Sequence, residues 1–283
     1  MQRAWLQYIV GSFLVGLLIQ SFPASVLAQN QGSEAAPTVL QPIVTTATRS
    51  ERSLADLPVS VTVLEREQIQ TAPAHATDDI LRTVPSLNLP LSSTIVQHPP
   101  ANLVGIRGLG APRVLFLLDG IPINDPFFGY VQFNKIVQET IERIEVVRGG
   151  SASLWGNYAM GGVVNIVTRP TEARAANAEV LYGSYNTVRT NVYGSYRLSE
   201  HVGLSLNVNY YNTDGYVVAP RELGGPIDTR AASQAGNVQV KTDYHDTGID
   251  WFLRGNFFTQ DQNTGTVLSD NSTNRVDIAT GAK

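Results

Sequence analysis

The chain is predicted to fold as a small α+β domain followed by long antiparallel strands of the kind that build a transmembrane β-barrel. Three observations predict this. Residues 49–171 mix short alternating runs, a helical signal and Gly-rich turns. From about residue 178 the pattern becomes strands of about 12 residues with one apolar and one polar face, the pattern of a barrel wall. After residue 28 no segment stays apolar for the roughly 18 residues a spanning helix needs, so any membrane insertion downstream must use strands.

Residues 1–28 read as a secretory signal: Arg3 supplies the positive start, residues 9–19 the apolar stretch, and Val26-Leu-Ala28 a small-residue cleavage site that leaves Gln29 first. At 1.5 Å rise per residue the apolar stretch covers only about half of a hydrocarbon core of roughly 30 Å, too little for a spanning helix. Residues 29–48 begin as a tail rich in Gln, Ser, Ala and Pro, with little to bury. They end in Ile43, Val44, Thr45, Thr46 and Ala47, whose β-branched residues favour an extended backbone. Pro42 lacks an N–H, so any strand pairing begins at Ile43.

Within residues 49–171, residues 59–64 alternate as a strand, and residues 77–85 read as a short helix. Thr77 is its expected N-cap, Asp78 and Asp79 lie in its first turn, and Pro85 ends it. An apolar run at residues 114–118 leads into Asp119-Gly120. Residues 134–141 are expected to form another short helix before a strand at 141–147. Gly149, Gly150, Gly156, Gly161 and Gly162 then supply turns or close backbone approaches before a second apolar strand. About 120 residues suffice for a buried core.

In the wall segment, residues 172–283, Val188, Thr190, Val192, Gly194, Tyr196 and Leu198 share one face, and Arg189, Asn191, Tyr193, Ser195 and Arg197 the other. Val202, Leu204, Leu206, Val208 and Tyr210 oppose Ser205, Asn207 and Asn209; Val238, Val240, Thr242 and Tyr244 oppose Asn237, Gln239, Lys241 and Asp243. Trp251, Leu253 and Phe257 oppose Arg254, Asn256 and Gln260, although Phe252 and Phe258 fall on that polar face. The expected arrangement has lipid outside and water inside. Residues 199–201 and 246–248 read as short turns at one end, and residues 214–232 as a long loop at the other. Five strands are countable, with the start of a sixth at Arg275. Residues 178–283 could not close a barrel and would leave an exposed sheet edge, so the barrel is expected to be incomplete in this chain. A truncated annotation, a frameshift or an incomplete sequence accounts for this.

Composition excludes several functions. With 20 basic and 24 acidic residues the formal charge is −4, which argues against nucleic acid as a partner. There are no cysteines, so disulfides, thiolate metal sites and cysteine catalysis are excluded, and the four histidines show no ligand spacing. No nucleophile elbow, His-Glu-x-x-His or phosphate loop is present, so no catalytic residue, metal or cofactor is expected.

Three motifs occur in order: Ile106-Arg-Gly-Leu-Gly110; Val114-Leu-Phe-Leu-Leu-Asp-Gly120; and Ile141-Glu-Arg-Ile-Glu-Val-Val-Arg-Gly-Gly150, continuing through Trp155-Gly156 and Gly161-Gly162. Together they closely resemble the plug domain of TonB-dependent outer-membrane receptors. Gly150 stands where that family often has Pro, and Trp155 where it often has Tyr. The resemblance implies an α+β plug domain followed by antiparallel transmembrane β-barrel strands. It further implies a receptor that imports a scarce ligand such as a siderophore-iron complex, haem or cobalamin. Residues 43–47 are similar to the TonB box, through which such receptors contact TonB, energised by an inner-membrane complex. Thr45 departs from the usual aliphatic residue there, but strand addition uses backbone groups and tolerates the change.

By the same resemblance, the outward plug loops are residues 91–102 and 124–132. Ser92, Gln97, His98, Asn124, Asp125, Phe127, Phe128 and Tyr130 are the implied ligand-binding candidates for an extracellular small molecule or metal chelate. Arg107 and Arg148 are expected to form structural ion pairs, with Glu142 and Glu145 as nearby acids, because a buried unpaired charge costs several kcal/mol. The implied location is the outer membrane, in contact with its lipid, with plug and box reached from the periplasm. The alternative reading is a truncated, non-transporting plug-containing binding or interaction protein.

Overall fold

The computed structural model describes residues 43–44, 46, 52–53, 59–74, 76–90, 104–109, 113–220 and 222–282. The chain divides into Met1–Leu40 and Gln41–Lys283, and every described residue belongs to the second unit. The signal at residues 1–28, Thr45, Ala47, Ser92, Gln97 and His98 lie outside the described residues.

The α+β domain opens with β1 (Ile43–Val44) paired antiparallel to β2 (Arg52–Ser53). Its main sheet contains β3 (Ser60–Glu65), β6 (Val114–Leu118), β7 (Ile121–Pro122), β8 (Ile141–Arg148) and β9 (Gly162–Thr168), in the order β3-β8-β9-β6-β7. β6 runs parallel to β9 and the other pairs are antiparallel. All five residues of β6 are buried because both faces of the sheet are covered, which is why its sequence is a continuous apolar run rather than an alternating one. Phe116 packs with Phe133, Ile144 and Ile166 on one face, and Leu115 and Leu117 pack with Ala159 and Val163 on the other. A small second sheet pairs β4 (Leu87–Asn88) with β5 (Gly105–Ile106).

Geometry requires glycine at two positions of the main sheet in particular. Asp119 (φ +53°) and Gly120 (φ +79°) make the two-residue turn between β6 and β7, the conformation that Asp-Gly favours. At Gly162 a Cβ would lie 2.4 Å from the Val147 carbonyl oxygen, so no side chain fits where β9 passes β8.

The helices differ from expectation. α1 (Arg66–Thr71) follows β3 directly, its start closed by the Glu65 N–H donating to the Gln68 side chain at 3.0 Å. α2 (Thr77–Leu81) is capped by Ala76, and it is Asp79 that accepts the Ala76 N–H, at 3.2 Å. The Thr77 hydroxyl instead donates to the Ile136 carbonyl at 2.9 Å, and the helix ends four residues before Pro85. Residues 134–141 form no α-helix; two single 3₁₀ turns, Phe133–Lys135 and Gln138–Thr140, flank an extended Ile136. Ile136, extended at φ −99° and ψ 107°, separates the two turns, and both Phe133 and Ile136 are buried in the core.

The wall is an antiparallel meander in sequence order: β10 (Arg174–Gly183), β11 (Thr187–Arg197), β12 (Val202–Thr213), β13 (Ser233–Asp246), β14 (Ile249–Asn263) and β15 (Asp270–Ala282). The first strand starts at Arg174 and the sixth at Asp270, both earlier than the alternation suggested, because polar residues on each face weaken the signal there. Outward residues pair across strands, Leu206 with Val240, Val238 with Phe257 and Phe257 with Val276, in an exposed apolar band. The inward rows do not face water. Asn191, Asn207, Asn237, Gln239, Lys241, Asp243, Arg254 and Gln260 are buried, because the α+β domain occupies the space in front of them. Phe258, fully buried, and Phe252, within 6 Å of the Lys241 and Arg254 cations, are among the apolar members of this inner face.

Candidate functional site

The domain is seated on the wall by ion pairs and hydrogen bonds between the two. Asp119 accepts the Thr168 N–H at 2.7 Å and the Thr168 hydroxyl at 2.9 Å, and it pairs with Arg254 of β14; Asp119 and Arg254 are both largely buried. Lys135 reaches Asp277 of β15 at 3.2 Å, while its carbonyl accepts the Asn237 amide at 2.7 Å. Burial pushes the Lys135 ammonium below its ordinary value, against the opposing pull of Asp277. Arg189 of β11 reaches Glu139 at 3.2 Å. Burial raises the Glu139 carboxyl, although Arg189 pulls it down. Near the domain's exit, Arg169 lies 4.4 Å above the Tyr193 ring, and Lys241 donates to the Arg169 carbonyl at 3.2 Å.

The segment at residues 43–46 is docked against the sheet. Val44 and Thr46 are buried. The Thr46 N–H donates to Glu145 Oε2 at 3.0 Å, its hydroxyl donates to the same oxygen, and its carbonyl accepts Trp155 Nε1 at 3.0 Å. Glu145 is fully buried and also takes Arg143 Nε at 2.8 Å. A buried carboxylate needs such partners, since an uncompensated charge there costs several kcal/mol.

The loop at residues 124–132 presents aromatics. Phe127 is 84% and Phe128 56% exposed; their rings meet edge to face at 4.7 Å, and Phe128 lies 6.4 Å from Tyr130. Asn124 and Asp125 instead hold the loop together. The Asn124 amide accepts from Phe116 N–H at 2.7 Å and donates to the Val114 and Gly129 carbonyls. Asp125 accepts the N–H groups of Phe127 and Phe128 at 3.0 and 2.8 Å. A cavity of about 50 Å³ between domain and wall, lined by Thr77, Glu139, Arg189 and Tyr211 among others, is too small for a chelate-sized ligand, which needs roughly 300 Å³.

The arginines are arranged differently from expectation. Glu145 belongs to Arg143, and Glu142 lies 3.8 Å from Arg66. Arg148 has no carboxylate among the described residues; its guanidinium donates to the Pro85 carbonyl and to the Ser60 and Thr62 hydroxyls at 2.7–3.2 Å. Burial and the neighbouring Arg107 lower its pKa. Arg107 is exposed, at φ +49°, and makes no ion pair among the described residues. Glu145 thus faces a cation on its own strand, and Glu142 one contributed by α1.

Residues 53–163 match the family model described as TonB-dependent Receptor Plug Domain. The chain carries a TonB-dependent receptor plug domain. It is 31% identical over 183 residues to the vitamin B12 transporter BtuB of Vibrio vulnificus, covering 64% of this chain and 30% of that protein. To the ferric enterobactin receptor PirA of Pseudomonas aeruginosa it is 32% identical over 212 residues, covering 71% of this chain and 25% of that one. Among solved structures, P. aeruginosa FpvA bound to a heterologous pyoverdine aligns with TM-score 0.67 at 18% identity, over 86% of this chain and 34% of that chain. The siderophore receptor PirA from Acinetobacter baumannii aligns with TM-score 0.56 at 24% identity, over 72% and 32%. These structural likenesses establish the fold. The chain spans about a third or less of the relatives and structures named here.

Sequence reasoning missed the residues that dock this plug. Asp119 was visible only as half of an Asp-Gly turn, and Thr46 only as a β-branched member of an extended segment. Their partners lie 135 and 99 residues away, beyond any local pattern. Trp155 carried a faint signal, as a larger side chain with an N–H donor where the family often has Tyr.

Proposed function

We propose that this chain provides the plug and wall strands of an outer-membrane receptor that imports a scarce ligand of the siderophore-iron, haem or cobalamin kind, driven by TonB through residues 43–47. One observation carries the reading: six strands present apolar rows outward and polar rows inward, and the polar rows are buried against a plug domain. A soluble sheet packed on a domain would bury apolar side chains there instead. The names of the relatives, a vitamin B12 transporter and a ferric enterobactin receptor, support import of a scarce nutrient without selecting one.

In this reading Phe127, Phe128 and Tyr130, with Ser92, Gln97 and His98, meet the ligand. Asn124 and Asp125 shape the loop that presents them. Arg107 and Arg148 meet carboxylates from elsewhere in the receptor. Ile43, Val44, Thr45, Thr46 and Ala47 add as a strand to TonB once released from the plug.

The experiment is Val44→Pro in the receptor that contains this chain, with labelled vitamin B12 and ferric enterobactin as probes. Proline removes a main-chain donor in mid-pairing. For whichever probe binds, binding is expected to persist while energy-dependent uptake falls sharply. Normal uptake by the variant, or equal loss of binding and uptake, overturns the coupling role of this segment.

A further inference from the structure

The exposed aromatic loop and the buried segment at residues 43–46 are joined through one short piece of chain. α3 (Ala152–Trp155) runs into the 3₁₀ turn Asn157–Met160 through Gly156, which sits at φ +84°. The piece is closed on itself: Ser151 N–H donates to the Ala159 carbonyl at 2.9 Å, Trp155 N–H to the Ser151 carbonyl at 2.9 Å, and Ala159 N–H to the Gly156 carbonyl at 3.1 Å. Ala159 is fully buried, and Trp155 and Tyr158 pack beside it against Leu115, Leu117 and Val163. Residues 151–160 can therefore shift as one body over an apolar seat, where contacts are non-directional.

Each end of this body carries a directional bond to another part of the described chain. The Tyr158 hydroxyl donates to the Pro126 carbonyl at 3.1 Å, inside the loop that bears Phe127 and Phe128. Trp155 Nε1 donates to the Thr46 carbonyl at 3.0 Å. Thr46 is held from its other side by Glu145, so Trp155 and Glu145 close on it like two jaws. Displacing the loop drags or breaks the Tyr158 bond; a shift of the body then opens the Trp155 jaw and leaves Thr46 on Glu145 alone.

We propose that residues 151–160 act as a lever coupling the aromatic loop at 124–132 to the segment at 43–46, with Tyr158 and Trp155 as its positioning residues. The physiological direction, ligand at the loop and release of the box, rests on the function proposed above. The mechanical coupling does not, and it is reciprocal: whatever loosens one end must loosen the other.

The test is hydrogen–deuterium exchange on the full 283-residue chain in detergent, comparing Tyr158→Phe, Trp155→Phe and the double variant. Both single changes keep the ring and remove the donor. Each is expected to speed exchange across residues 43–46 roughly three- to tenfold, the size of one lost neutral hydrogen bond, while β8 and β9 keep their protection. The double variant should exchange no faster than Trp155→Phe alone, because Tyr158 acts through Trp155. Unchanged exchange at residues 43–46 in Tyr158→Phe, or effects of the two changes that multiply, overturns the lever. Should Trp155→Phe loosen the sheet itself, Val44→Pro read at the opposite end decides: faster exchange at the Asp125 and Gly129 amides supports the lever, and unchanged exchange overturns it. Normal uptake by Val44→Pro together with coupled exchange would remove the transport assignment and leave the lever standing.

Discussion

Asp119 sits where three parts of the chain meet: the turn after β6, the end of β9, and the wall at Arg254. Its positive φ fixes the direction of the carboxylate, so the three bonds form without further ordering of the backbone. Asp119→Ala strands Arg254 as a buried cation and frees two donors of Thr168. The expected loss is about 3–5 kcal/mol of stability, read from denaturant unfolding in detergent. Asp119→Leu combined with Arg254→Met should recover part of that loss, because replacing both charges removes their desolvation cost together. A loss below about 1 kcal/mol for Asp119→Ala would mark the pair as an exposed-type contact.

At the scale of elements, the two 3₁₀ turns between residues 133 and 140 alternate core residues with wall contacts. Phe133 and Ile136 enter the core, whereas Lys135 and Glu139 face Asp277 and Arg189. The extended Ile136 between the turns interrupts the helix that the sequence suggested. It also creates a pH dependence. A carboxyl raised above its ordinary 4.5 by burial binds more protons folded than unfolded between those two values, so its contribution to stability falls as pH rises through that window. Melting temperatures of the wild type and Glu139→Gln should therefore converge as pH falls from about 7 to about 5, apart from a constant offset. The difference between the two proteins is the readout, since it cancels the other titrating groups. A difference that stays constant over this range would mean that Arg189 outweighs burial at Glu139.

For the whole molecule, the plug and the wall place opposite demands on solvent. The plug carries its own apolar core, centred on Phe116, Phe133, Ile144 and Ile166. The wall exposes Val180, Leu206, Phe257, Val276 and Ile278 outward, and its edge strands β10 and β15 each have one side unpaired within the sheet. Residues 41–171 alone should stay soluble in buffer without detergent, while the chain extended to residue 283 should aggregate through that apolar band and those edges. Light scattering of the two at equal concentration checks this, and equal solubility would argue that the outward rows do not face lipid.

The amino-acid sequence by itself determined what depends on neighbours in the chain. Period-two alternation placed the wall strands and sorted Leu206 from Asn207, and Asp119-Gly120 placed a turn. The order of the plug motifs placed the fold. The tertiary structure alone decided what fills the inner face, since a row of Asn, Lys and Arg reads the same whether water or a plug stands before it. It also decided that Glu145 serves Thr46 and Arg143 rather than the arginines first expected, and that Asn124 and Asp125 brace their loop. Local periodicity reports which face a side chain takes; the partner it meets there is set by chain packing across gaps of up to 143 residues, which no local pattern encodes.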